Sequence, residues 1–151
     1  MSKKLLIDSE LQMIELGKSL ATNLISGDLV VLDGLVGAGK TTLTKGIAQG
    51  LGITDRITSP TFVISRVHSS EAGKPDLVHV DAYRLGSITE VDSLDLESSL
   101  DDSITIVEWG AGLIEGLTEE NWLIKITRDV ILDSETREVE IFPPANRELK
   151  I

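Results

Sequence analysis

Apolar and polar positions divide the chain into short segments separated by clear turns. Ser9 and Gln12 form a capping-box signature, and Met13, Leu16, Leu20 and Leu24, joined by Ala21, recur at helical spacing. The spacing predicts a helix from about Glu10 to about Ile25, with one face packed on a sheet. Ahead of it, Met1-Ser2-Lys3-Lys4 reads as a short basic start before Leu5-Leu6-Ile7. Ser26-Gly27-Asp28 turns the chain into Leu29-Val30-Val31-Leu32, an unbroken apolar run that predicts a core strand. A second helix is expected from about Lys40 to Gln49, ended by Gly50 and Gly52. Thr58-Ser59-Pro60-Thr61 is a small polar turn, followed by a strand over Phe62-Val63-Ile64-Ser65-Arg66-Val67. The loop Glu71-Ala72-Gly73-Lys74-Pro75 joins that strand, as a hairpin, to Leu77-Val78-His79-Val80, which ends at Asp81. Val91, Leu94, Leu96 and Leu100 lie among acids and serines, in a short helix or irregular segment. Ile104-Thr105-Ile106-Val107 predicts a buried strand ending at Glu108. Leu123–Ile126 and Glu138–Ile141 predict a late strand pair.

Between the first core strand and the second helix lies Gly34-Leu35-Val36-Gly37-Ala38-Gly39-Lys40-Thr41, a full G-x-x-x-x-G-K-[ST] pattern. Each part has a physical task. The glycines let the backbone curl so that its N–H groups point inward toward an anion, with positive φ at little cost. The following helix aims its positive dipole end and unpaired N–H groups at the same place. Lys40 can reach outer phosphates, and the Thr41 hydroxyl is placed to ligate Mg²⁺.

The order of elements predicts an α/β protein: a P-loop NTPase-like three-layer fold with a central, mostly parallel mixed sheet. At 151 residues the chain is expected to form one domain, residues 1–151. The 41% hydrophobic content and mean hydropathy of +0.11 fit a folded globular protein. No apolar run is long enough for a bilayer, no signal-peptide pattern is present, and there is no cysteine. A cytoplasmic location away from membranes is therefore expected, and disulfides and thiolate metal sites are excluded. The net charge of −11 repels nucleic acid phosphates. Any action on RNA then requires another subunit to hold it.

Ligands of a P-loop sheet bind beyond the carboxyl ends of its strands. Asp81 and Glu108 occupy two such ends, and either could hold Mg²⁺ or order a water beside a γ-phosphate. Ser59-Pro60-Thr61 is a weak candidate for sensing that phosphate, and a plain turn is an equal reading. Arg84 could stabilise phosphate charge, although a lone arginine is usually a surface residue. Trp109 could cover the site or meet a partner, with core packing as its default role. His68 and His79 alternate with apolar residues and lack ligand spacing, which assigns them to structure. The Thr136-Arg137 turn and Glu10 could approach a base or ribose.

Gly-Ala-Gly-Lys-Thr-Thr at 37–42, Ser-Pro-Thr-Phe at 59–62, His-Val-Asp-Ala-Tyr-Arg-Leu at 79–85 and Val-Glu-Trp-Gly at 107–110 follow one another at set intervals. This combination resembles the TsaE (YjeE) family, the small ATPases of bacterial tRNA threonylcarbamoyladenosine synthesis. The likeness runs from Ser9-Glu10 to Thr136-Arg137. It implies slow ATP hydrolysis, partnership with TsaD and TsaB, and contact with tRNA only through that complex. It also implies that Gly37, Ala38, Gly39, Lys40, Thr41 and Thr42 bind the phosphates of ATP, with Thr41 and Glu108 holding Mg²⁺. Lys40, Asp81 and Glu108 are the implied catalytic set, with Trp109 near the nucleotide and Glu10 and Thr136 near its nucleoside end. The chain departs from the family where Leu35-Val36 replaces the acid usual after the first loop glycine, and again over Asp92 to Asp101.

Two other readings remain at this level. A small P-loop kinase of a metabolite would carry an arginine-rich lid, and the arginines here are few and widely spaced. A nucleotide-switched binding module would use ATP only to order a partner surface. A GTPase is disfavoured because no Asn-Lys-x-Asp segment is present.

Overall fold

The computed structural model describes residues 2–34, 37–54, 65–70, 73–81, 102–108, 121–128 and 135–151, with the backbone alone at 65, 66 and 81. Among the described residues seven strands form one sheet: β1 (Lys3–Ile7), β2 (Leu29–Asp33), β3 (Ser65–His68), β4 (Asp76–Asp81), β5 (Ser103–Glu108), β6 (Trp122–Arg128) and β7 (Arg137–Phe142). Their order is β1-β7-β6-β2-β5-β4-β3. Two helices are found among the described residues, α1 (Glu10–Ala21) and α2 (Lys40–Gly50).

The four central strands, β6-β2-β5-β4, run parallel, as the apolar runs of β2 and β5 require of strands covered on both faces. The flanking pairings β1–β7, β7–β6 and β3–β4 are antiparallel. The sheet is thus mixed as expected, but parallel pairings equal the antiparallel ones rather than outnumbering them. The difference comes from Lys3–Ile7, where Lys3-Lys4 is expected as the end of a short basic start and Leu5-Leu6-Ile7 is assigned to no element. It forms β1, whose burial is incomplete because it lies at the sheet edge. The β3–β4 hairpin is present, with Ser65 opposite Val80 and His68 opposite Leu77. The stretches 55–64, 82–101 and 109–120 lie outside the described residues, and with them the Pro60 turn and the segment around Val91 to Leu100.

One face of the sheet supplies Val30, Leu32, Leu77, Ile104, Ile106 and Ile124, which bury against Met13, Leu16, Leu20, Leu43 and Ile47 of the helices. Leu29, Val31, Val78, Val80 and Val107 alternate to the other face and are equally buried. Both faces are therefore removed from water, as a three-layer fold demands.

Ser9 caps α1 by accepting from the Gln12 amide at 3.1 Å, while Gln12 Oε1 accepts from the Asp8 amide at 2.7 Å. The helix stops at Ala21, four residues short of the expected end. There the Thr22 hydroxyl and the Asn23 side-chain amide both donate to the Ser19 carbonyl. Leu24 kept the periodicity because it is buried from the turn that follows. Asp28 and Arg147 then tie this turn to the carboxyl-terminal segment, with Arg147 Nη1 2.9 Å from Asp28 Oδ1 and Nη2 donating to the Asn23 carbonyl.

The helices approach each other through glycine. A Cβ on Gly17 would lie 2.6 Å from the Leu43 carbonyl oxygen, and one on Gly46 would overlap the Ile14 carbonyl. Gly50, expected as the stop of α2, is its last residue, and a Cβ there would meet Ala21 Cβ at 2.5 Å. The turn itself falls to Gly52, at φ 75°. Because backbone rather than flexible side chain blocks the added atom, Gly46→Ala should cost about 1–3 kcal/mol or more. A urea unfolding midpoint equal to that of the unaltered protein would contradict this account of the helix contact.

Candidate functional site

β2 leads through Asp33 and Gly34 to a loop whose described part is Gly37-Ala38-Gly39; residues 35 and 36 lie outside the described set. Gly37 and Gly39 have φ of 82° and 113°, a region that residues with a Cβ enter only under strain. Gly39 is the N-cap of α2. It offers no side-chain cap, and the first helical turn carries no acid. Gly39 supplies no capping side chain to the amide groups at this helix start, and the helix dipole behind them favours an anion.

Lys40 is only 6% exposed and donates from Nζ to the Gly34 carbonyl, folding back across its own loop. Thr44 Oγ1 donates to the Lys40 carbonyl at 2.9 Å. Thr41 Oγ1 donates to Glu108 Oε1 at 3.0 Å. That contact is set by the sheet: β2 and β5 pair so that Leu32 is level with Glu108. Glu108, the last residue of β5, is buried. Asp81 is level with Glu108 on the other neighbour, β4, so the two strand-end acids occupy matching positions of adjacent strands. The side chain of Asp81 and all of Trp109 lie outside the described residues.

A cleft of about 260 Å³ opens beside the loop, lined by Ser9, Glu10 and Met13 on one side and Gly37, Ala38, Gly39 and Thr42 on another. Glu135 and Arg137 complete it, and Arg137 Nε donates to the Ala38 carbonyl at 3.1 Å. Glu10, Thr42 and the three loop residues therefore share one cavity. Thr136 does not line it; its hydroxyl donates to Asp8 Oδ1 at 3.1 Å. Lys40, Thr41 and Glu108 gather at the start of α2.

Two residues went unrecognised as neighbours of the site. Arg128 ends β6 with Nη1 so placed that a Cβ on Gly37 would meet it at 3.7 Å. Its register partner is Arg137, so two guanidinium side chains reach the rim of the loop. Arg137 lies in the turn expected to approach a base or ribose, but no local pattern marks Arg128, which joins it only once β6 and β7 pair. His79, assigned to structure, has Nε2 3.3 Å from Glu108 Oε1. Its signal was a polar residue on an otherwise apolar strand.

The donor set suits Mg²⁺ bound together with phosphates: a hydroxyl and a carboxylate already in contact, beside an uncapped helix start. Among the described residues no three His, Cys, Asp or Glu side chains gather into a metal cage. Mg²⁺ shared with phosphates needs only one or two protein groups.

A glycine loop running from a central parallel strand into an uncapped helix, with a carboxylate on the next strand end, defines a P-loop α/β protein. The crystal structure of YdiB from Bacillus subtilis has this fold: it superposes with a TM-score of 0.77 at 31% identity, covering 97% of this chain and 88% of that one. A family model described as threonylcarbamoyl adenosine biosynthesis protein TsaE matches residues 7–139. The tRNA threonylcarbamoyladenosine biosynthesis protein TsaE of Streptomyces coelicolor is 56% identical over 119 residues, which are 78% of this chain and 80% of that protein. The Bacillus subtilis protein of the same name is 39% identical over 121 residues, 80% of this chain and 73% of its relative. The chain belongs to the TsaE family of tRNA threonylcarbamoyladenosine biosynthesis. No helix among the described residues is long and apolar enough to cross a membrane.

Gly39 combines a positive φ with a near neighbour, because a Cβ there would sit 3.1 Å from Met13 Cε. Gly39→Ala should therefore lower stability by about 1–2 kcal/mol through backbone strain and narrow the cleft between loop and α1. Thermal unfolding checks the first effect; an unchanged midpoint would show that the loop relaxes around the methyl group.

Proposed function

We propose that the protein is a Mg²⁺-dependent ATPase that serves threonylcarbamoyladenosine modification of tRNA together with TsaB and TsaD. The observation that carries the reading is the Thr41–Glu108 hydrogen bond at the uncapped start of α2. It brings a hydroxyl and a carboxylate together at the end of the helix, where the outer phosphates of a nucleotide would meet the helix dipole, and this supports the reading. Membership in the family supplies the pathway.

In this reading the loop amides of Gly37 to Thr42 bind the phosphates, and Lys40 exchanges the Gly34 carbonyl for phosphate oxygens. Thr41 and Glu108 would hold Mg²⁺, which supplies charge neutralisation when bound. Asp81 would orient the water that attacks the γ-phosphate in line, and the negative charge that develops would fall to Lys40 and the loop amides. Glu10 and Arg137, across the cleft, would meet the nucleoside, with Thr136 at its rim and Trp109 near the nucleotide. The tRNA would be reached through the partner complex, since the chain itself is strongly acidic.

Lys40→Ala removes a charge-assisted donor worth about 1.5–3 kcal/mol, so ATP affinity should fall about 10- to 100-fold in a calorimetric titration. Equal affinity would remove the loop from the assignment. Glu108→Ala and Asp81→Ala should keep the circular dichroism of the fold and slow hydrolysis by about 100-fold or more. Wild-type turnover in both would exclude these acids from the chemistry. The pathway is tested by reconstituting tRNA modification with purified TsaB and TsaD. Multiple turnover should require both this chain and ATP, and turnover without either would refute the proposed role.

A further inference from the structure

β4 carries a buried histidine on the face it shares with Leu77 and Asp81, level with Arg66 of its antiparallel neighbour β3. The parallel register sets Leu77 level with Ile104 and His79 level with Ile106, so His79 faces the layer between sheet and helices. It is 1% exposed. Neither ring nitrogen makes a hydrogen bond, although Nε2 lies 3.3 Å from Glu108 Oε1, within ion-pair range. The distance and the missing bond agree if the ring stands beside the carboxylate but is turned slightly off the hydrogen-bonding direction. Burying an unsatisfied N–H is unfavourable, and an apolar residue of similar size would avoid that cost. Core packing alone does not account for a histidine here.

The oxygen that His79 approaches is the one already used by Thr41. Both contacts fall on Oε1 of Glu108, at 3.0 Å from the Thr41 hydroxyl and 3.3 Å from the imidazole. One contact comes from the start of α2 and the other from the adjacent strand. Two donors on one oxygen would fix the plane of the carboxylate and present the remaining oxygen in a set direction.

We propose that His79 is a positioning residue: its Nε2–H holds Oε1 of Glu108 jointly with Thr41, and so aims the carboxylate at the divalent cation that accompanies the nucleotide. The proposal rests on the nucleotide-binding reading given above. Outer partners of this kind orient metal-binding side chains widely, and their hydrogen bonds often become aligned only when the site is filled. The carboxylate and hydroxyl would touch the cation; His79 acts through Glu108.

The test uses the full chain with Mn²⁺ as a paramagnetic probe and ADP as nucleotide. His79→Leu should weaken Mn²⁺ binding in the presence of ADP about 10-fold or more, while ADP affinity without metal stays as in the wild type. His79→Gln, whose amide N–H can reach the same oxygen, should recover most of the loss. Unchanged Mn²⁺ affinity in His79→Leu would overturn the proposal. So would an equal loss of metal-free ADP affinity, or a loss that Gln does not recover, because either marks a packing role. A nitrogen-15 spectrum of the unaltered protein decides the point even if His79→Leu fails to fold. With two histidines in the chain the rings are readily assigned, and of the two ring nitrogens of His79 it is Nε2 that should bear hydrogen. A bare Nε2 would overturn the assignment. Failure of the functional reading looks different, since the wild type would then bind neither ADP nor Mn²⁺ with ADP.

Discussion

The parallel pairing of β2 with β5 is the constraint on which the site depends. It sets Leu32 level with Glu108, so the strand that feeds the glycine loop ends beside the strand that ends in the carboxylate. The first turn of α2 then has no choice of neighbour: Thr41 meets Glu108 across 3.0 Å. A shift of one residue in this register would turn Glu108 to the opposite face and leave the hydroxyl without its acceptor. Such a slip would also exchange the side chains of two strands, buried on both faces, between the two layers and force both layers to repack. The hydrophobic pattern that holds the sheet together thus also holds the polar pair in place.

The second support is the close packing of α1 on α2. Gly17, Gly46 and Gly50 let the backbones approach where any Cβ would collide with the other helix. With α2 held there, its amino-terminal end is fixed relative to β2, and the start of α1 is brought beside the loop. The cleft between Met13 and Gly39 follows from this contact. Arg137 closes the arrangement from a third direction by taking the Ala38 carbonyl. The loop is therefore gripped from two helices and a strand, while its own positive-φ glycines remain free of side chains that would fill the cradle.

Local patterns made much of this legible. The apolar runs of β2 and β5 and the turn glycines of the loop each depend on a few adjacent residues; both strands and the positive φ of Gly37 and Gly39 were found where expected. The acids at 81 and 108 were legible because strand ends in such sheets are where ligands bind, and the register brings them level. What escaped were features made by distant pairing. Lys3–Ile7 does not read as a strand in the sequence, where Lys3-Lys4 goes with a short basic start, because its strand character comes from β7 alongside it. Arg128 and Arg137 sit nine positions apart and become neighbours only through the β6–β7 ladder. His79 was visible as an odd residue in an apolar strand, but its meaning needed the position of Glu108 in space. Helix α1 was drawn too long because Leu24 is buried from a turn, where helical periodicity and simple burial give the same pattern.

The charge distribution bears on how such a site could serve an RNA pathway. An acidic chain that takes up an anionic ligand must gather positive potential locally, since its average field repels the ligand. Here that potential comes from the uncapped end of α2, from Lys40 and from the guanidinium of Arg137 at the loop rim. These groups are small in extent and partly sunk into the fold. They suit a cluster of phosphates on one small molecule and offer no broad basic track for a nucleic acid backbone. In the proposed role the same acidity disfavours direct contact with tRNA and favours docking on a basic protein surface, where opposite charges speed encounter. On the function proposed, the division of labour follows from electrostatics: the nucleotide binds here, and the RNA is held by a partner of opposite charge.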